Sequence, residues 1–157
     1  ALKGDQTITY FAVNHNDLFT YIGKEAFAES IVEHVDLFDS VTTIGAEAFR
    51  DCTELKEITI PASVTEIGEN AFAGCTSLTS ITIGKNVKKI GKNAFTGCKK
   101  LKSIIIKTKK LTTKTVKKGA FNGISKKVVV KVPKSKYKTY KKLLPAKGLK
   151  KAAKIRK

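Results

Sequence analysis

A solenoid of stacked coils carrying a parallel β-sheet on one face is the fold this sequence predicts, and three observations predict it. The chain says nearly the same thing three times: "AFRDCTELKEITI", "AFAGCTSLTSITI" and "AFTGCKKLKSIII" follow one another at steps of 23 residues. The letters that stay fixed are Phe, Cys, Leu and Ile, while the polar letters drift. Each copy also ends on Leu-x-x-Ile-x-Ile, an alternation that sends every second side chain to the same face, as a strand requires. A unit of this length makes one coil and cannot bury its apolar side alone, whereas stacked coils pool those sides into one core. Strands of successive coils then hydrogen-bond at about 4.8 Å per coil.

The elements follow in chain order. Residues 1–21 are expected to form an N-terminal cap, with "TITYFAV" at Thr7–Val13 as a strand lidding the first coil. The coils occupy about residues 22–133, and their markers line up. The pairs Ile22-Gly23, Ile44-Gly45, Ile67-Gly68 and Ile90-Gly91 recur at 22, 23 and 23 residues, and Phe27, Phe49, Phe72, Phe95 and Phe121 at 22, 23, 23 and 26. Cys52, Cys75 and Cys98 keep a spacing of 23, as do Val32, Leu55, Leu78 and Leu101. The pairs Val35/Leu37, Ile58/Ile60, Ile81/Ile83 and Ile104/Ile106 do likewise. One residue is missing between Phe27 and Val32, and three are extra around "KTKKLTTKTVKKGAF". The repeated Gly is expected to serve a tight turn or a positive φ. Pro61 falls just past a strand, where a missing N–H does least harm. Each coil buries roughly six large apolar side chains at ~1.5–3 kcal/mol apiece before conformational entropy is subtracted.

Residues 134–157 are expected to be a Lys-rich C-terminal cap. In "KSKYKTYKKLL", Tyr137, Tyr140, Leu143 and Leu144 stand at helical spacing, with Ser135 as the candidate N-cap and Pro145 as the stop. This short amphipathic helix would seal the last coil. The remaining "AKGLKKAAKIRK" either docks Leu149 and Ile155 or frays.

The stretch "IGENAFAGCTSLTSITIGKNVKKIGKNAF" resembles the BspA-like leucine-rich repeat, whose unit reads Ile-Gly-x-x-Ala-Phe-x-x-Cys-x-x-Leu-x-x-Ile-x-Ile-Pro-x-x-Val. The likeness covers about residues 18–133 and is densest over Ile44–Ile106. Departures are clear: Pro is kept at Pro61 and Pro133 but replaced by Phe38, Gly84 and Lys107, and the Cys position holds Ser30 or Glu29 in the first coil and Ile124 in the last. The resemblance implies a leucine-rich-repeat solenoid that is β-rich, with a parallel sheet on one face and an irregular or short-helical other side. It also implies a non-enzymatic protein-interaction module of a bacterial surface or secreted protein, with adhesion as one such role, and hence an extracellular or cell-surface location.

Charge is distributed unevenly. Lys and Arg total 31 and Asp and Glu 13, yet every acid precedes Lys85. Residues 1–84 hold four bases and 13 acids, a balance of −9, and residues 85–157 hold 27 bases and no acid. Such a basic half can attract an anionic polymer — teichoic acid, glycosaminoglycan or nucleic acid — or simply be a solvated terminus. Head-to-tail association, acidic end to basic end, is a third reading. No helix-turn-helix, zinc finger or ribonucleoprotein aromatic motif argues for sequence-specific nucleic-acid reading. No apolar run reaches the ~20 residues that span a bilayer. The chain opens on Ala rather than Met and reads as a mature or trimmed piece.

Chemistry-bearing residues are few. Cys52, Cys75 and Cys98 lack the paired spacing of a metal motif and are expected to be reduced, buried hydrophobes. His34, in "VEHVDL", is expected to face outward on a strand near Glu33 and Asp36, and His15 is the other histidine. No nucleophile elbow or phosphate loop is found, so neither an enzyme nor a cofactor is expected. The expected binding surface is the outward face of the sheet, formed by two ladders. One is Asp36, Thr59, Thr82, Ile105 and Lys131; the other is His34, Glu57, Ser80, Ser103 and Val129. A protein ligand is the expected partner.

Overall fold

The computed structural model describes residues 1–12 and 19–157. His15, and Val13 at the end of the expected first strand, lie outside the described residues. The strands in chain order are β1 (Tyr10–Ala12), β2 (Tyr21–Ile22), β3 (His34–Asp36), β4 (Thr43–Ile44), β5 (Glu57–Thr59), β6 (Glu66–Ile67), β7 (Ser80–Ile83), β8 (Lys89–Ile90), β9 (Ser103–Ile106) and β10 (Val129–Lys131). Helix α1 (Tyr137–Ala146) and strand β11 (Lys154–Arg156) complete the chain.

The alternation at the end of each copy forms the main sheet. Its seven strands run in the order β1-β3-β5-β7-β9-β10-β11, and every pairing is parallel. The central residue of each repeat strand points inward: Val35, Ile58, Ile81, Ile104 and Val130 are all buried.

The opposite side of each coil, expected to be irregular or short-helical, is built of turns and carries no helix among the described residues. It adds a second parallel sheet of two-residue strands, β2-β4-β6-β8, continued by a bridge from Ile90 to Val116. A further seam of backbone bonds runs through the Ala-Phe segment. Phe27, Phe49, Phe72 and Phe95 each donate an N–H to the Ala carbonyl of the next coil, at 2.8–2.9 Å. Flanking residues do the same, as Glu47 N–H to Glu69 O at 2.8 Å shows.

That seam needs an alternating backbone. Glu25, Glu47, Asn70, Asn93 and Gly119 form one column of positive φ, and Glu29, Asp51, Gly74, Gly97 and Gly123 form another. The left-handed region costs a residue with a Cβ roughly 1–2 kcal/mol, which accounts for Gly and Asn recurring there. The Gly of the Ile-Gly pairs has a different reason from the one expected. Gly45, Gly68 and Gly91 do not have positive φ. A Cβ at Gly68 would instead lie 2.5 Å from the Ala46 nitrogen, and one at Gly91 2.4 Å from the Glu69 nitrogen. Close approach of consecutive coils selects glycine here.

The core is one continuous spine. Phe27, Phe49, Phe72, Phe95 and Phe121 stack with centroids 4.9, 5.1, 5.5 and 5.6 Å apart, and Phe11 closes the N-terminal end edge-on at 4.7 Å from Phe27. Cys52, Cys75 and Cys98 form a second buried column as free thiols. Ser30 extends that column at the degenerate first coil, its hydroxyl 3.6 Å from the Cys52 sulfur.

At the C-terminal end, Tyr140, Leu143 and Leu144 of α1 are buried against the last coil. The Tyr140 hydroxyl donates to the Thr108 carbonyl at 3.0 Å and accepts from the Leu111 N–H at 3.2 Å, pinning the extra residues of the long coil. Two details of this cap differ from expectation. A 3-10 turn at Lys134–Lys136 leads into the helix, so Lys136 occupies the N-cap and no side chain, Ser135 included, caps it. Pro145 lies inside the last turn rather than stopping the helix, which ends at Ala146. The tail docks: Leu149 is buried, and Ile155 sits on β11, which extends the sheet beyond β10.

Candidate interaction surface

The outward face of the main sheet is where the two ladders fall. Register places Thr59 beside Thr82, Thr82 beside Ile105, and Ile105 beside Lys131. The second ladder runs His34, Glu57, Ser80, Ser103, Val129 without a break. Asp36 enters next to Ala12 of β1, while the β3–β5 pairing is His34 with Glu57 and Val35 with Ile58. His34, Asp36, Glu57, Thr59 and Lys131 are exposed, and Ser80, Thr82, Ser103, Ile105 and Val129 are half-buried. The sequence reading stopped at Lys131, but β11 carries both ladders one strand further, to Lys154 and Arg156. No apolar alternation marks that tail, only the isolated Ile155.

Charge and polarity are graded along this face. It begins with His34, Asp36 and Glu57, passes through Thr59, Ser80 and Thr82, becomes apolar at Ile105 and Val129, and ends in Lys131, Lys154 and Arg156. A depression of about 270 Å³ lies at the acidic pole, lined in part by His34, Asp36, Glu57, Thr59, Ser80 and Thr82. Tyr10 donates its hydroxyl to Asp36 at 2.6 Å across β1 and β3, and that bond to a carboxylate raises the phenol's pKa. Glu57 has no ion-pair partner among the described residues.

Beside the face, cross-coil ion pairs join the winds: Lys3 with Glu25, Arg50 with Glu29, Lys56 with Glu33, Lys89 with Glu66 and Lys92 with Glu69. Hydrogen bonding and charge from Lys3 and Lys56 hold the Glu25 and Glu33 carboxyls below the ordinary range. Each pair is solvent-exposed and individually weak.

The thiols behave differently. Burial pushes Cys52 up to about 11 and Cys98 to about 12, and raises Cys75 well above the ordinary value. A thiol so disfavoured as thiolate is a poor nucleophile and a poor metal ligand. No cluster of three His, Cys, Asp or Glu side chains placed to hold a metal occurs among the described residues. No described helix is long and apolar enough to cross a membrane.

Parallel strands, one per coil, over a spine of stacked Phe and Leu define a leucine-rich-repeat solenoid. The chain belongs to the BspA-type leucine-rich repeat family, whose model matches six copies over residues 20–144. No curated protein matches. Among solved structures it is similar to the pneumococcal vaccine antigen PcpA, with a TM-score of 0.75 and 28% identity, over 98% of this chain and 36% of that one. A leucine-rich repeat protein of T. pallidum shares the fold, with a TM-score of 0.60 and 21% identity over 87% and 83% of the two chains. The chain thus spans about a third of the PcpA chain. Extended faces of such solenoids serve as binding scaffolds.

Proposed function

We propose that this chain is a non-enzymatic protein-interaction module of a bacterial surface or secreted protein, adhesive in role, binding through the outward face of its main sheet. The observation that carries the reading is the graded ladder from Asp36 and Glu57 to Lys131, held in strict register on a rigid sheet. Its mechanism is complementarity of shape and charge, with no bond made or broken. Likeness to a vaccine antigen supports the location, because an antigen useful in a vaccine must be reachable by antibody. The test is binding to immobilised host matrix proteins with a face variant, Glu57→Lys with Thr82→Lys. Loss of binding with an unchanged melting temperature supports the face, and binding retained by the folded variant overturns it.

A second reading has its own observation. Of the 27 bases after residue 84, Lys89 and Lys92 are the two that meet a carboxylate among the described residues. Such an excess of positive charge suits electrostatic anchoring to an anionic polymer, whose affinity falls steeply with salt through counterion release. Heparin or teichoic acid titrated at rising ionic strength checks it: steep weakening supports anchoring, and flat, weak binding removes it.

A further inference from the structure

We infer that the two ends of the solenoid are complementary, so that the C-terminal end of one copy docks on the N-terminal end of the next. The large hydrophobic side chains left exposed among the described residues all lie at the N-terminal end: Tyr10 at 57%, Phe19 at 41% and Tyr21 at 51%. Phe19 and Tyr21 line an apolar groove of about 440 Å³ whose floor includes Leu2, Phe11 and Phe27, the first ring of the stack. The groove therefore opens onto the end of the spine. Inside the molecule each coil covers the one before it; the first coil is covered by residues 1–12 along two seams. Leu2 N–H bonds Ala26 O at 2.6 Å on one, and β1 pairs with β3 on the other. No described strand pairs with the outer edge of β2, the first strand of the second sheet.

The opposite end has a matching form. Tyr137, Pro145, Ala153 and Ile155 make an apolar hollow between α1 and the tail, rimmed by Lys141, Lys150 and Lys151. Long-range charge agrees: −9 over residues 1–84 faces +27 over the remainder, so approach end to end is attractive and approach of like ends is repulsive. Symmetry supplies the geometry. Strands of the main sheet are related from coil to coil by a shift along the axis, always parallel. The same shift applied to the whole chain sets β1 of the next copy alongside β11. That contact is heterologous: each copy keeps one free end, so association is open-ended.

The test uses two variants, each blocked at one end by exposed substitutions. Phe19→Lys with Tyr21→Lys closes the N-terminal end, and Lys150→Glu with Lys151→Glu closes the C-terminal end. Sedimentation at low salt should show the parent chain growing beyond 17.1 kDa as concentration rises, and shrinking as salt is added. Each variant alone should remain monomeric, with an intact thermal melt. Their equimolar mixture should form a dimer and stop there, because one good end of each remains. A parent that is monomeric at every concentration overturns the inference. So does a singly blocked variant that still dimerises, since that marks a like-to-like interface. Should the lysine pair at Phe19 and Tyr21 impair folding, Tyr10→Lys alone provides the N-terminal block.

Discussion

The Cys75 thiol donates a hydrogen bond to the Phe49 carbonyl of the preceding coil at 3.0 Å. Cys52 bonds Phe27 O at 2.9 Å and Cys98 bonds Phe72 O at 3.1 Å in the same way. The repeated cysteine is therefore a small core residue and also a stitch between winds. Cys75→Ala should cost about 1–3 kcal/mol, from a small cavity and the lost donor. Cys75→Asp should unfold the domain, because it buries a charge between coils with no cation in reach. A cooperative melt of Cys75→Asp matching the parent would show that the column is misassigned.

Protonation of those thiols makes a pH prediction. Folding raises their pKa values above the ~8.5 of a free thiol, so the protonated form is favoured in the fold. Their stabilising contribution is complete below about pH 8.5 and declines as pH rises toward the folded values near 11 and 12. Thermal melts taken from pH 7 upward should show the midpoint falling above that point. In parallel, a thiol-specific disulfide reagent should find no reactive cysteine in the native protein at neutral pH and three in denaturant. Rapid native labelling would contradict the buried column.

Gly68 and Gly97 should respond differently to alanine. At Gly68 the new methyl would press on the backbone of the coil before it, 2.5 Å from both Ala46 N and Gly45 C. At Gly97 the nearest atom is 3.7 Å away and the cost is the positive φ of 79°. Gly97→Ala should lose roughly 1–2 kcal/mol, and Gly68→Ala distinctly more, since neither backbone can yield without breaking the seam. Denaturant midpoints for the two variants decide it; equal losses would mean that coil contact is not the reason for this glycine.

Tyr140→Phe removes one hydroxyl from a fully buried ring. It leaves the Thr108 carbonyl and the Leu111 N–H without that partner, and should cost about 1–3 kcal/mol. Hydrogen exchange at Leu111 should quicken in the variant, and an unchanged rate would place the anchor elsewhere.

Thr82→Lys, by contrast, should shift stability by no more than about 0.5 kcal/mol, as surface changes do. Thr82 stands on the outward ladder between Thr59 and Ile105. A large loss would show that this side of the strand is not a solvent face.

What the sequence disclosed follows from what repetition can carry. Phe72, Cys75, Leu78 and Ile81 are legible because each stacks on its own equivalent, so the same letter returns at the same interval. The binding ladders are legible through strand alternation alone. The second sheet was hidden because two-residue strands such as Glu66–Ile67 have no period to detect. The role of Gly68 was hidden because one letter serves both positive φ and close approach. Strand β11 was hidden because a parallel partner, Val129–Lys131, and not its own pattern, makes Lys154–Arg156 extended.

The seams that join consecutive coils all run side by side along the stacking direction, and this has a mechanical consequence. A load applied between the two termini meets them one after another instead of all at once. Under tension the molecule should lengthen in discrete steps, each releasing about 23 residues, or on the order of 75–80 Å of slack. Such a stack would act as a shock absorber that yields wind by wind and re-stacks when the pull relaxes.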